Sequence, residues 1–464
     1  MLFNNSAGRL KTEEIIKLYL DEFMFSHKRK FMLKGEKYYK VENDILNRKM
    51  HRYVNDKLVV DDSKTNNKLA HGFMKNLVDD KVNYLLTKPY TLACQNQAYI
   101  EAVQKVLGKR FQRILTRLGT EASNKGIAWL HCYINSKGEF KTVKIPSEQI
   151  IPLWIDEEHE ELQAIIRYYV VETYTGPVRQ DITHIEYWTD QDVTYYVLQD
   201  NRIILDSEKY LEDSHAGHFM INEVPSSWGR VPFVPFKNND FELPDLQFVK
   251  TLVDDYDIAR SDVSNLLTDI QNTIYALKGY GGESLSEFMK DLAYYRAIKL
   301  EDDGELDTVD SSINIEAAEK HYEQLKKDIF DFGQGVDKNS DKLGNSPSGI
   351  ALKFIYSGLD LKCNAMEDSF KWSFEELIYF VNEYLRLTGR VVCNDDGIDI
   401  IFNRDIAINE SQTITDCQNS MGIISKKTIV ANHPFVTNLD EELEQIKAES
   451  LTDEPDPFED DEYE

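Results

Sequence analysis

Residues 246–271 read Leu-Gln-Phe-Val-Lys-Thr-Leu-Val-Asp-Asp-Tyr-Asp-Ile-Ala-Arg-Ser-Asp-Val-Ser-Asn-Leu-Leu-Thr-Asp-Ile-Gln. At 100° per residue, Leu246, Val249, Leu252, Val253, Tyr256, Ala259, Val263, Leu266, Leu267 and Ile270 share one broad face. Asp254, Asp255, Asp262 and Asp269 fall within a separate arc of about 100°. The spacing predicts one helix roughly 40 Å long. One side of it packs and the other presents carboxylates.

A compact insert, 272–314, comes after this helix. It reads as a strand at Ile274–Lys278, a glycine turn at 279–282, a short helix at Ser284–Tyr295, a strand at Ala297–Leu300 and a last strand near Leu306–Val309. Glu316–Phe330 returns to helix, with Ala318, Tyr322, Leu325 and Ile329 on one face. A polar, glycine-flanked loop spans 333–349, and Ile350–Leu387 is predicted helical throughout, with Ser357-Gly358 as its expected bend. Thr388-Gly389 ends that helix. A strand at Ile398–Phe402 succeeds it, then helices near Ser411–Met421 and Leu439–Ser450 with a short helical start at Ser425–Ile429. Residues 452–464 hold eight acidic residues of thirteen, which predicts a disordered tail.

Before the central helix, the chain is mixed. A helix is expected from Thr12, as its cap, to about Lys34, with Glu13 and Glu14 in the first turn. Two more are expected over 68–88 and 97–118. The second would carry Lys105, Lys109, Arg113 and Arg117 at four-residue spacing, a basic stripe open to phosphates, an acidic partner or solvent. From Gly126 the period switches to alternation, predicting strands at Ala128–Ile134, Phe140–Pro146, Ala164–Val171, His184–Trp188 and Val193–Leu198. Gly229–Asn239 is extended, because its prolines exclude helix. The fold class is mixed α+β.

Composition narrows the function. The 464 residues carry 53 Lys and Arg against 81 Asp and Glu, a net charge of −28, which excludes a protein gripping nucleic acid through one broad basic surface. Between Lys28 and Lys57 the sign reverses locally, with ten basic and four acidic residues. Five cysteines with no Cys-x-x-Cys pair give neither a disulfide framework nor a zinc site. No secretory start and no membrane-length apolar stretch is visible, so a soluble cytoplasmic chain is expected.

Catalytic and metal motifs stay incomplete. There is no Walker A sequence, and the dinucleotide start at Gly333-Gln-Gly335 has Lys338 where a glycine belongs. His159-Glu160 lacks a second histidine at position 163, and His215 with His218 lacks a third ligand. Asp337, Asn339 and Asp341 open like a calcium loop, but Lys342 and Ser348 replace its glycine and glutamate. No metal or cofactor is expected. Gly344–Ser348 is a near miss to a nucleophile elbow, which leaves a serine hydrolase built around Ser346 as an alternative reading.

The order of parts is what resembles a known family, the portal proteins of tailed bacteriophages, in the branch common in phages of Gram-positive hosts. The phrases that carry the resemblance are 83–91 (Asn-Tyr-Leu-Leu-Thr-Lys-Pro-Tyr-Thr), 121–128, Val231–Asn239, Tyr256–Asn265, Ser348–Lys353 and Gly422–Thr428, in succession from about 38 to 449. The resemblance implies a portal fold with an α/β wing, a two-helix stem, a small α/β clip, a long wing helix and an α-helical crown. Its boundaries would be 1–240 for the N-terminal segment and wing, 241–271 for the stem helix and 272–315 for the clip. The second stem helix would be 316–332, the tunnel loop 333–348, the long helix and returning strand 349–405, the crown 406–451 and the acidic tail 452–464.

The function implied is a ring at the unique capsid vertex, typically of twelve subunits, not an enzyme. Double-stranded DNA would pass through it without sequence specificity during packaging and ejection. Implied partners are the major capsid and scaffolding proteins, the terminase large subunit and the head–tail adaptor. The location would be the virion, with the host cytoplasm during assembly and no membrane. Asp254, Asp255, Asp262 and Asp269 would face the channel and repel phosphates. Val336, Asp337, Lys338, Asn339, Ser340, Asp341 and Lys342 would form the tunnel loop, with Lys338 and Lys342 touching the backbone. Lys105, Lys109, Arg113 and Arg117 would meet capsid or packaged DNA. A different ring-forming virion adaptor is a further alternative.

Overall fold

The computed structural model describes residues 11–175, 178–212, 217–221, 223–269, 274–278, 305–309, 315–338, 349–390, 397–404, 410–436 and 439–452. It begins with α1 (Thr12–Phe25) and α2 (His27–Tyr39), two helices where one is predicted. Ser26 parts them: its backbone is extended and its hydroxyl accepts the Arg29 N–H at 3.1 Å, capping a new helix. The cap of α1 is Lys11 instead of Thr12, with Glu14 accepting the Lys11 backbone N–H. A hairpin of β1 (His51–Val54) and β2 (Lys57–Val60) comes next, then α3 (Phe73–Leu86), β3 (Thr91–Ala93), α4 (Gln97–Leu107) and α5 (Phe111–Lys125).

The helix predicted over 97–118 is therefore two. Gly108, at φ +71°, ends α4 in a conformation a side chain disfavours, and the chain turns before α5. The basic stripe is not a row on one helix: Lys105 lies on α4, Lys109 in the turn, and Arg113 and Arg117 on α5.

Beyond α5 lie β4 (Ile127–Ile134), β5 (Phe140–Ile145), β6 (Ile150–Trp154), β7 (Leu162–Thr175), β8 (Val178–Trp188), β9 (Val193–Gln199), β10 (Arg202–Leu205), α6 (Ser207–Glu212), β11 (Phe219–Ile221), β12 (Val224–Ser226) and β13 (Phe233–Lys237). The strands β10-β9-β8-β7-β6 form one antiparallel meander, and β13-β4-β5 a second sheet. Every predicted strand of this region is present. Those at 164–171 and 184–188 extend well beyond their predicted limits, because Tyr, Thr and Val continue the alternation among charges that suggest an end. Pro235 is tolerated because β13 lies at the sheet edge, where no ladder N–H is required.

The remaining elements are α7 (Leu246–Asp269), β14 (Ile274–Lys278), β15 (Glu305–Val309), α8 (Ile315–Phe332), α9 (Gly349–Leu387), β16 (Asp399–Ile401), α10 (Glu410–Asn419), α11 (Lys426–Ala431) and α12 (Leu439–Thr452). β14 and β15 pair antiparallel, so the insert leaves and returns side by side. The turn, short helix and strand expected at 279–300, and the tail beyond 452, lie outside the described residues.

The largest core forms around α9. Leu359, Cys363, Met366, Phe370, Phe374, Leu377 and Val381 recur at helical spacing, each at most 2% exposed, and pack against α4, α5, β4 and β13. The Ser373 hydroxyl donates to the Pro235 carbonyl at 2.6 Å, which fastens the sheet edge to the helix. A second core joins α3, α7 and α8 through Leu77, Val78, Val249, Val253 and Ile329. Among the described residues no helix is long and apolar enough to cross a membrane.

Helix α2 crosses α5 so closely that a Cβ on Gly35 would lie 1.8 Å from the Asn124 carbonyl oxygen. In a free helix alanine would be favoured over glycine by about 1 kcal/mol. Here the backbone clash outweighs it, so Gly35→Ala should destabilise the protein by about 1–3 kcal/mol. Urea unfolding measures this, and a raised midpoint would mean that the α2–α5 crossing can open.

Candidate nucleic-acid interface

Helix α7 starts on an apolar stripe, Leu246, Val249 and Val253, but its buried stripe then turns polar at Asp257, Ser261 and Asn265. This change has a partner. The N-terminal segment from Tyr38 to His71 lies along it and offers donors. Asp257, fully buried, accepts the His71 backbone N–H at 3.0 Å and the Asn43 amide at 2.6 Å, and faces His71 Nδ1 at 2.7 Å. The Ser261 hydroxyl accepts the Leu69 N–H, and the Asn265 carbonyl accepts the Asn67 N–H. Buried polar groups persist when each finds such a partner.

The carboxylates read as one acidic arc divide. Asp254 accepts from the Tyr38 hydroxyl and pairs with Lys250, which also reaches Asp44 at 2.9 Å. Burial and the Asp254 contact push the Tyr38 phenol up. Burial opposes ionisation of Asp44, yet Lys34 and Lys250 hold its carboxyl down at about 2. Asp262 pairs with Arg48 at 2.6 Å. Asp255 remains more than half exposed and, among the described residues, pairs with the similarly exposed His321 of α8, at 3.4 Å. Asp269 ends α7, and its side chain lies outside the described residues. Asp254 and Asp262 are thus ion-paired from within the chain, by Lys250 and Arg48, while Tyr38 donates a hydrogen bond to the first, which helical periodicity could not reveal.

The loop after α8 is anchored at its start. Gly333 and Gly335 donate back to the Ile329 and Phe330 carbonyls, and a Cβ on Gly335 would sit 2.3 Å from Leu77. Val336, read as part of an exposed loop, is 3% exposed and joins the main core. Its apolar side chain follows the burial rule and not the polarity of its neighbours. Asp337 pairs with Lys326 at 2.9 Å, and Lys338 with Asp80 at 2.8 Å, while Lys338 stays largely open to solvent. Asn339, Ser340, Asp341, Lys342 and Ser346 lie outside the described residues.

Behind this loop is a charge cluster that sequence reasoning missed. Lys81 on α3 and Lys362 on α9 both reach Asp245, at 3.0 Å each, just before α7 begins. Lys81 also donates to the Asn238 amide oxygen at 2.6 Å, and Lys362 to the Gly333 carbonyl at 2.9 Å. Asp245 and Lys81 are 2% and 1% exposed. Burial pushes the Lys81 ammonium down to about 8, against the attraction of Asp245. Burial would raise the Asp245 carboxyl, but Lys362 and Lys81 outweigh it and hold it at about 2. One signal was available: Lys81 interrupts the apolar face Leu77, Val78, Val82 and Leu85 of its own helix.

Lys105, Lys109, Arg113 and Arg117 are all exposed around the α4–α5 corner. The near-miss metal motifs are otherwise engaged. His159 binds Glu242 at 2.8 Å and stacks on Trp154, and His218 binds the Thr189 carbonyl and the Trp228 N–H. His215 lies outside the described residues.

A two-helix unit carrying a returning strand pair, a glycine-flanked connection and a long helix packed across an antiparallel sheet define the class of this protein, and comparison with known proteins agrees. The family of phage portal proteins described as SPP1 Gp6-like matches residues 25–456. The chain belongs to that family. It is 34% identical over 434 residues to the portal protein of Bacillus phage SPP1, spanning 93% of this chain and 86% of that one. It is also 34% identical over 454 residues to the portal protein of Clostridium phage phiCD119, spanning 93% and 96%. A chain in the neck of a native GTA particle, computed with C12 symmetry, aligns at 11% identity and a TM-score of 0.39, covering 79% of this chain and 92% of that one. The family gives no support to the hydrolase reading around Ser346 or to a separate adaptor class.

Asp245→Asn would leave the buried Lys81 ammonium and the partly buried Lys362 ammonium without their counter-charge, a loss of about 3–5 kcal/mol at neutral pH. Because the folded carboxyl sits at about 2 against an ordinary 3.8, its contribution is complete above pH 3.8 and fades as pH falls towards 2. Urea unfolding of wild type and variant should therefore show a gap that narrows below pH 3.8, and a pH-independent gap would contradict the charge account.

Proposed function

We propose that the chain assembles into a closed ring, of about twelve copies as the portal resemblance implies, at one vertex of a phage head. Double-stranded DNA passes along its axis during packaging and ejection. The observation that carries this reading is the family match from residue 25 to 456, spanning the α7, β14–β15, α8, loop and α9 succession. The role is structural. ATP-driven translocation falls to the terminase large subunit, which docks on the ring. The head–tail adaptor later takes that place, and the major capsid and scaffolding proteins surround the ring during assembly in the host cytoplasm and in the virion.

Within the chain, residues 1–240 would form the N-terminal segment and wing, 241–271 and 316–332 the stem, 272–315 the clip, 333–348 the tunnel loop, 349–405 the long helix with its returning strand, and 406–451 the crown. The clip is the docking surface for terminase and adaptor. Asp254, Asp255, Asp262 and Asp269 form the side of α7 that DNA passes. Asp255 supplies open charge there, while ion-paired Asp254 and Asp262 supply a polar surface with weaker repulsion. In the tunnel loop Lys338 exchanges between Asp80 and passing phosphates, and Lys342 acts beside it. Only phosphate and shape are read, because a channel accepts every base sequence.

Electron microscopy of the purified chain should show rings with a central hole, and a persistent monomer of 53.9 kDa would overturn the reading. A Lys338→Ala, Lys342→Ala double variant should form rings yet package or retain less DNA. Normal packaging and retention would remove these lysines from the mechanism.

A further inference from the structure

The α4–α5 corner holds exposed cations that the fold does not use. Lys105 lies in the last turn of α4, Lys109 and Arg110 in the connection, and Arg113 and Arg117 one and two turns into α5. All five are exposed, and among the described residues no carboxylate reaches any of them. Many other cations are neutralised internally. Lys28 meets Glu242, Lys34 meets Asp44, Arg48 meets Asp262, and Lys125 meets Glu36, Glu121 and Glu148. In a chain with 81 acidic residues, these five cations lie within thirteen residues of one another around a single corner.

Keeping them together costs energy. Like charges one helical turn apart destabilise a helix by about 0.2–0.5 kcal/mol per pair. The positive end of the α5 dipole lies at the same corner and adds to the penalty. Nothing in the packing offsets this, since α5 is held by its other face, where Phe111, Leu115, Leu118 and Ala122 are buried. That anchoring fixes Arg113 and Arg117 outward. Gln112 binds the Leu86 and Lys88 carbonyls, and Asn403 binds the Pro89 carbonyl, which places the corner beside the strand pair leading into the C-terminal helices.

We propose that this corner is a second contact for the phosphate backbone of double-stranded DNA, separate from the channel. From Lys109 to Arg117 the cations extend about 12 Å along the helix, a length over which a duplex presents roughly seven charges. Side chains this long and mobile read no bases, so the contact is sequence-independent, weak and sensitive to salt. It rests on the portal reading only for the source of the DNA. Such a contact would let a strongly acidic ring hold duplex against its outer surface without gripping it in the bore.

Covalently closed circular duplex DNA tests this, because a closed circle cannot thread a ring. Binding of full-length protein is measured from about 50 to 200 mM salt. The variant is Lys109→Gln, Arg110→Gln, Arg113→Gln, Arg117→Gln, and the control neutralises four other exposed cations, Lys30, Lys137, Arg179 and Lys320. The corner variant should bind the circle at least about tenfold more weakly at low salt, with a salt slope shallower by about three to four. The control should keep wild-type slope and affinity. Wild-type protein that ignores the circle, a corner variant that binds it normally, or a control that loses as much would each overturn the proposal. If the four-residue variant fails to fold, Arg113→Gln with Arg117→Gln should flatten the slope by about two. Electron microscopy of the same samples keeps the two readings apart. Rings with unaltered circle binding defeat the corner and leave the portal standing, while wild type without rings defeats the portal.

Discussion

Asp245, buried between Lys81 and Lys362, is the contact on which the architecture turns. It stands where the second sheet ends and α7 begins, and its two lysines come from α3 and α9. Through Lys362 the cluster also grips the Gly333 carbonyl, so the start of the loop after α8 is tied to the start of α7. Three charges in so dry a place persist because the remaining donors are satisfied by Asn238 and the Gly333 carbonyl. Burying such a group is unfavourable alone, and removing any partner is worse. The cluster therefore acts as an all-or-none joint. Segments more than 160 residues apart in sequence meet correctly or leave a charge stranded.

The same logic governs α7. Its polar stripe survives burial because the N-terminal segment supplies a donor for each acceptor: His71 and Asn43 for Asp257, Leu69 for Ser261, and Asn67 for Asn265. In the basic run from Lys28 to Lys57, where the sign of the chain reverses locally, Lys28, Lys34, Lys40 and Arg48 are used inside the molecule against Glu242, Asp44, Glu36 and Asp262. Net charge is thus a poor guide to function here. The −28 total describes the chain as a whole, whereas which individual charges stay open depends on the ion pairs that the fold makes.

Much of the framework is legible in the sequence because it rests on local periodicity. The apolar repeats of α7, α8 and α9, the alternation of β4, β5 and β9, and the return of the insert as paired strands all follow from spacing within short windows. Periodicity fails where one residue overrides a pattern. Ser26 stops a helix that its neighbours would continue, and Gly108 divides another, because cap chemistry and positive φ act at single positions. Val336 sits among polar neighbours that suggest an exposed loop, yet it packs into the main core.

Amino-acid order alone settles the mixed α+β class, the succession of helix, paired strands, helix, loop and long helix, and through that succession the family. Tertiary structure alone decides which charges are free. Asp254 and Asp262 look like Asp255 in the sequence, but Lys250 and Arg48 pair with the first two, while Asp255 stays more than half exposed beside His321. Lys81 shows in the sequence only as a break in the apolar face of its helix, and its partner Asp245 arrives from beyond the second sheet. Periodicity is a property of neighbours in the chain, whereas neutralisation depends on groups brought together only when distant segments pack.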